Sequence, residues 1–139
     1  MRADFYYIPD ENHLHFACRI AQKAFENNHQ VYIHVSSDAE ADELNKLLWT
    51  FQQNSFVPHG LLGDYKDDPP PIEIGAGDKP EHHDDVLINL SLDMPHFAQG
   101  FKRVLEVIAN NNNGNTQANH RKKRYQDAQF EIHEHDLRQ

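Results

Sequence analysis

Apolar and polar positions change period several times along the chain, and each change marks an element. ADFYYI at 3–8 is aromatic and β-branched and stops at Pro9, which predicts a first strand. Leu14, Ala17, Ala21, Ala24 and Phe25 then recur at helical spacing, predicting a helix over 13–26 with Asn12 as its N-cap. In QVYIHVS at 30–36, Val31, Ile33 and Val35 share one face and Tyr32 lies opposite, a second strand. A strand, helix, strand order with short links predicts a right-handed βαβ unit and a parallel sheet.

Ser37 and Glu40 have capping-box spacing at the start of a second helix. Ala41, Leu44, Leu48 and Phe51 fall on one face of that helix. Trp49 lies about 140° from the middle of their stripe, among Asp42, Asn45 and Lys46. The single tryptophan of the chain is thus expected to face outward, where a helix runs out into the loop of LLWTFQQNSFVPHGLLGD at 47–64. A turn-rich stretch follows to Pro71. Ile72–Ile74 and Val86–Leu90 read as short buried strands around the polar loop GAGDKPEHHDD. Pro95–Gly100 reads as a helical turn and Phe101–Ile108 as a further strand. NNNNGN at 110–115 is expected to be a flexible loop, and Thr116–Phe130 a last helix. The tail at 131–139 fits no single element. The expected architecture is one α/β domain over 1–139, Rossmann-like, with a mostly parallel central sheet flanked by helices.

Composition narrows the function. The 139 residues carry 22 acidic and 13 basic side chains, a formal charge of −9, so a general affinity for nucleic acid is disfavoured. One cysteine, Cys18, cannot form an internal disulfide and reads as a packed small residue of the first helix. No apolar run approaches a membrane span and no signal-peptide pattern opens the chain, so a cytoplasmic protein is expected, without membrane contact.

Candidate chemistry is sparse. A dinucleotide site needs glycines between the first strand and helix, and here that link is PDENH. Gly75-Ala76-Gly77 leads into Asp78-Lys79-Pro80 rather than a helix. His82-His83-Asp84-Asp85 and His133-Glu134-His135 hold ligand-type residues without an established metal spacing, and read as exposed polar loop. Neither a cofactor, a metal nor a catalytic residue is expected. The basic run Arg121-Lys122-Lys123-Arg124 cannot converge on one point of a helix. Ala118, Arg121, Lys122 and Tyr125 do share a face at i, i+3, i+4 and i+7, which makes a seat for an acidic, aromatic peptide or a solvated face.

The sequence resembles the chi subunit of bacterial DNA polymerase III, an accessory protein of the clamp loader. The residues that carry the likeness are Asp4-Phe5-Tyr6, Leu48-Trp49, Ser55-Phe56-Val57-Pro58-His59, Pro71-Ile72-Glu73-Ile74, Asp85-Val86-Leu87-Ile88-Asn89-Leu90 and Arg124-Tyr125. They span most of the chain in order. The resemblance implies a non-catalytic adaptor with a Rossmann-like fold and no nucleotide site. It implies a psi-subunit surface at Trp49, Phe56, Val57 and Pro58, which some members also offer to a helicase. It implies a second surface at Ile108, Ala118, Arg121, Lys122 and Tyr125 for the acidic C-terminal tail of single-stranded DNA-binding protein, with DNA reached only indirectly. Lys122 departs from the arginine often found there and lacks its planar fork. The competing readings are a direct single-stranded nucleic-acid binder and, further off, a doubly wound α/β enzyme.

Overall fold

The computed structural model describes residues 1–9, 11–51, 57–64, 68–77, 80, 83–91, 93–109 and 112–138, with the backbone alone at 112–115. Seven strands form one sheet: β1 (Arg2–Tyr7), β2 (Val31–Val35), β3 (His59–Leu61), β4 (Ile72–Ala76), β5 (Val86–Asn89), β6 (Arg103–Ile108) and β7 (Glu131–Asp136). Their order is β3-β4-β2-β5-β6-β1-β7, and every pairing is parallel. The flanking helices are α1 (His13–Glu26), α2 (Asp38–Thr50) and α3 (Asn112–Asp127), with a 3-10 turn at Ala98–Gly100.

A parallel sheet needs cover on both faces, and alternate residues of each strand supply it. Val31, Ile33, Val35, Ile72, Ile74 and Ile88 face α1 and α2, where Ala17, Ala21, Leu44 and Leu48 meet them. Ala3, Phe5, Tyr32, Leu87, Val104 and Ile108 face the other way, onto Phe97, Phe101, Ala118 and Tyr125. Cys18 is fully buried, and that burial pushes its thiol up to about 12, so it packs as an inert small residue. Gly75 lies under the Tyr32 hydroxyl and leaves no room for a Cβ.

The helix ends follow local chemistry. Ser37 Oγ accepts a hydrogen bond from the Glu40 backbone N–H at 3.2 Å, which typically contributes about 1 kcal/mol. The carboxylate arm of the expected box is not made: Glu40 Oε1 has no partner. Asn12 occupies the N-cap position of α1 without capping through its side chain. Asn28, with φ of 68°, turns the chain left-handed after α1, and the His29 backbone N–H donates to Ala24 O at 3.0 Å.

Four features go beyond or against the expectations. β1 and β2 are not neighbours, since β5 and β6 lie between them. His59–Leu61, outside the expected strands, forms β3, and the tail forms β7 at the sheet edge. α3 begins at Asn112, so four of the six residues of the run expected as a loop are helical. Asparagine is at home around a helix start, where its side chain can serve backbone N–H groups that lack intrahelical partners. Residues 110 and 111 of that run lie outside the described residues.

Candidate partner-binding surfaces

α2 presents two faces of different character. Ala41, Leu44 and Leu48 are buried, and Phe51 packs half-buried beside them. Trp49 points away and is 55% exposed, against a usual preference of tryptophan for burial. Its ring contacts that of His59 at 4.7 Å between centroids, tilted by 58°. The His59 ring nitrogens lie 2.7 Å from Val57 O and 2.9 Å from Asn45 O, so the imidazole is fixed between the loop and α2. Val57 is buried and Pro58 half-buried. Trp49 thus reaches the segment of Val57 and Pro58 through His59, but Val57 itself is buried in the core and not at the surface; Phe56 lies outside the described residues.

The face of α3 shared by Ala118, Arg121, Lys122 and Tyr125 is the one turned towards the sheet. Ala118, Arg121 and Tyr125 are buried, as is Ile108 at the end of β6; Lys122 is half-buried. What draws two polar side chains inward is Glu106, in the middle of β6 and fully buried. Arg121 Nη1 donates to Glu106 Oε1 at 2.8 Å and to Ser91 O at 3.0 Å. Tyr125 Oη donates to Glu106 Oε2 at 2.5 Å, and Asn89 Nδ2 to the same oxygen at 2.8 Å. Burial raises the Glu106 carboxyl above the usual carboxylate range, against the pull of Arg121, Tyr125 and Asn89. Burial and the neighbouring Glu106 hold the Tyr125 hydroxyl well above its ordinary value.

The rest of the basic run stays at the surface. Lys122 Nζ meets Glu134 Oε1 at 2.5 Å, and this bond, with a smaller one from Tyr7, raises the ammonium above its ordinary value. Lys123 and Arg124 are exposed, Arg124 lying 3.4 Å from Asp93. The physical signal for the inward arginine and tyrosine was the lone carboxylate in RVLEVI: a charge inside an apolar strand demands partners from the element packed on it.

A second buried carboxylate sits on the opposite face of the sheet. Asp4 of β1 accepts from Arg2 Nη2 at 2.9 Å and Arg103 Nε at 2.8 Å, with His135 Nε2 2.8 Å away. Burial acts to raise its pKa, and the bonds from Arg2, His135 and Arg103 outweigh that and hold it below its ordinary value. Of the histidines expected in an exposed polar loop, His82 lies outside the described residues and the others are engaged: His135 with Asp4, His133 with Glu131, and the buried His83 ring 2.8 Å from Pro70 O. Among the described residues no group of three or more His, Cys, Asp or Glu side chains could hold a metal ion. No helix among them is long and apolar enough to cross a membrane.

Comparison with known proteins places this geometry in a family. The family described as DNA polymerase III chi subunit, HolC, matches residues 1–133. The chain is 41% identical over 110 residues to DNA polymerase III subunit chi of Pseudomonas aeruginosa, covering 77% of this chain and 76% of that one. It is 33% identical over 125 residues to subunit chi of Haemophilus influenzae, covering 87% of each chain. Against subunit chi of Escherichia coli the identity is 29% over 116 residues, 83% of this chain and 79% of the other. The chain belongs to the chi subunit family of DNA polymerase III, and so to the accessory subunits of that polymerase.

Proposed function

We propose that the chain is a non-catalytic replisome adaptor that joins the clamp loader through a psi subunit and holds the acidic C-terminal tail of single-stranded DNA-binding protein at a second surface. The observation that carries the reading is Trp49, exposed on α2 beside Val57 and Pro58 in a chain of this family. A large ring kept in water has its best use in a desolvated interface, where aromatic anchors contribute about 2 kcal/mol or more. A helicase is the alternative occupant of the same surface.

The burial of Arg121 and Tyr125 refines the tail surface. Ile108, Ala118, Arg121 and Tyr125 form its supporting layer, and Lys122 is the cation that meets an incoming carboxylate. Glu134 occupies Lys122 in the free protein, so the tail competes with it. A short tail covers little area, and the contact is expected to be micromolar and to gain from many tails displayed together.

The test is a titration of psi and of a tail peptide, separately and together, by calorimetry. The adaptor reading expects both ligands to bind at once, with Lys122→Ala weakening the peptide about tenfold and Glu134→Gln strengthening it. Mutual exclusion of the two ligands, or a peptide indifferent to both substitutions, would contradict it.

A further inference from the structure

α1 carries a second flank at the edge of the core, where Phe16, Ile20 and Ala24 are only partly buried and Arg19, Lys23 and Asn27 are exposed. Phe16, Arg19, Ile20, Lys23, Ala24 and Asn27 follow one another at steps of three and four, or adjacent to such a step, along one flank of the helix. That flank overhangs the first halves of β5 and β6. Between them runs an open groove of about 670 Å³, within the range of ligand sites. Its floor is aliphatic, from Ile20, Ala24, Val86 and Leu105, and its rim is basic, from Arg19, Lys23 and Arg103.

The charge is out of keeping with the rest of a chain of net −9. Among the described residues no acidic side chain lines the groove. Asp85 pairs with His29 at 3.0 Å and Asp4 with Arg2, Arg103 and His135, and Glu26, exposed three residues after Lys23 on α1, forms no ion pair with it. Arg19 and Lys23 are exposed and form no ion pair among the described residues. Two cations without counter-ions above an apolar floor favour an anionic ligand with an apolar anchor.

The aromatic rings decide which kind. Tyr6 is stacked by His135 at 4.6 Å and 15°, Phe16 lies under the Arg19 guanidinium at 5.7 Å, and the two rings contact each other at 5.7 Å. Rings so engaged make a poor stacking platform for bases, and the overall negative charge repels a long polyanion. A short peptide suffers less on both counts.

We propose that this groove docks an acidic peptide segment with an aliphatic anchor residue. Its carboxylates meet Arg19, Lys23 and Arg103, and its anchor enters between Ile20 and Leu105. The site lies on the opposite face of the sheet from α3 and does not depend on the surfaces of the proposed adaptor function.

The experiment is a ¹⁵N-amide NMR titration of the full chain with a synthetic capped peptide in which aspartates flank a pair of leucines. Amides of 19–27, 86 and 103–105 should shift and saturate. Arg19→Glu with Lys23→Glu should weaken binding about tenfold or more without moving the Tm, since both side chains are exposed. The same peptide with Asn for Asp should bind at least as much more weakly. Shifts confined to α3, a double variant that binds as the parent does, or a dT oligonucleotide that outcompetes the peptide at about 0.15 M salt would each overturn the proposal.

Discussion

α2 and α3 cover opposite faces of one sheet, and each carries a large side chain against the grain of its type. On α2 an apolar ring, Trp49, stands in water; on α3 a guanidinium, Arg121, is 5% exposed. The two arrangements have opposite causes. Arg121 is held by its protein partner, because Glu106 could not otherwise be buried at a tolerable cost. The Trp49 ring touches His59 and still leaves more than half of the residue's surface open. The first residue serves the fold, and the proposed adaptor function gives the second its use.

Breaking the α3 side should give the largest effects. Glu106→Ala leaves Arg121 buried without its carboxylate and should cost about 3–5 kcal/mol in urea denaturation. Pairing Glu106→Leu with Arg121→Leu should recover most of that loss, which the single substitution cannot. Tyr125→Phe removes one donor to Glu106 and should cost about 1–3 kcal/mol. A cost near zero for both single changes would mean that the network does not anchor α3.

Two of the buried carboxylates, Asp4 and Glu106, sharpen the comparison through pH. Asp4 is held below its ordinary value of 3.8, so its contribution to stability is fully present above that pH and is lost as pH falls through the lower folded value. Glu106 is held above 4.5, so its contribution is fully present below 4.5 and is lost as pH rises through the folded value. Tm measured against pH should therefore lose part of its acid limb in Asp4→Asn. In Glu106→Gln the decline above pH 4.5 should flatten. The partners explain the opposite signs: two guanidiniums, Arg2 and Arg103, and His135 bind Asp4, whereas the wholly buried Glu106 has one guanidinium, Arg121, beside the neutral Tyr125 and Asn89.

How far the sequence could be read depended on burial. The central strands are apolar enough to declare themselves, and α1 runs over the very residues its stripe marks, 13–26. β3 and β7 sit at the sheet edges. β3 has three residues, one of them glycine, and β7 holds a single apolar side chain, Ile132, among five charged or imidazole ones. Such edges carry little period-two signal because charge there guards against further pairing. The face of α3 was legible as a face, yet its direction was not. A helix with so few apolar residues does not reveal which side is inward until Glu106 on β6 is considered with it. The outward position of Trp49 could be read, because three apolar neighbours fixed the inward side of α2.

The smallest expected stability effect belongs to Trp49, and it tests the central claim most directly. Psi binding and Tm are to be measured on the parent and on Trp49→Ala. The adaptor account predicts a stability change within about 0.5 kcal/mol and a loss of about 2 kcal/mol in psi affinity, roughly thirtyfold. A marked fall in stability with psi affinity unchanged would contradict it, and would assign the ring to the fold alone.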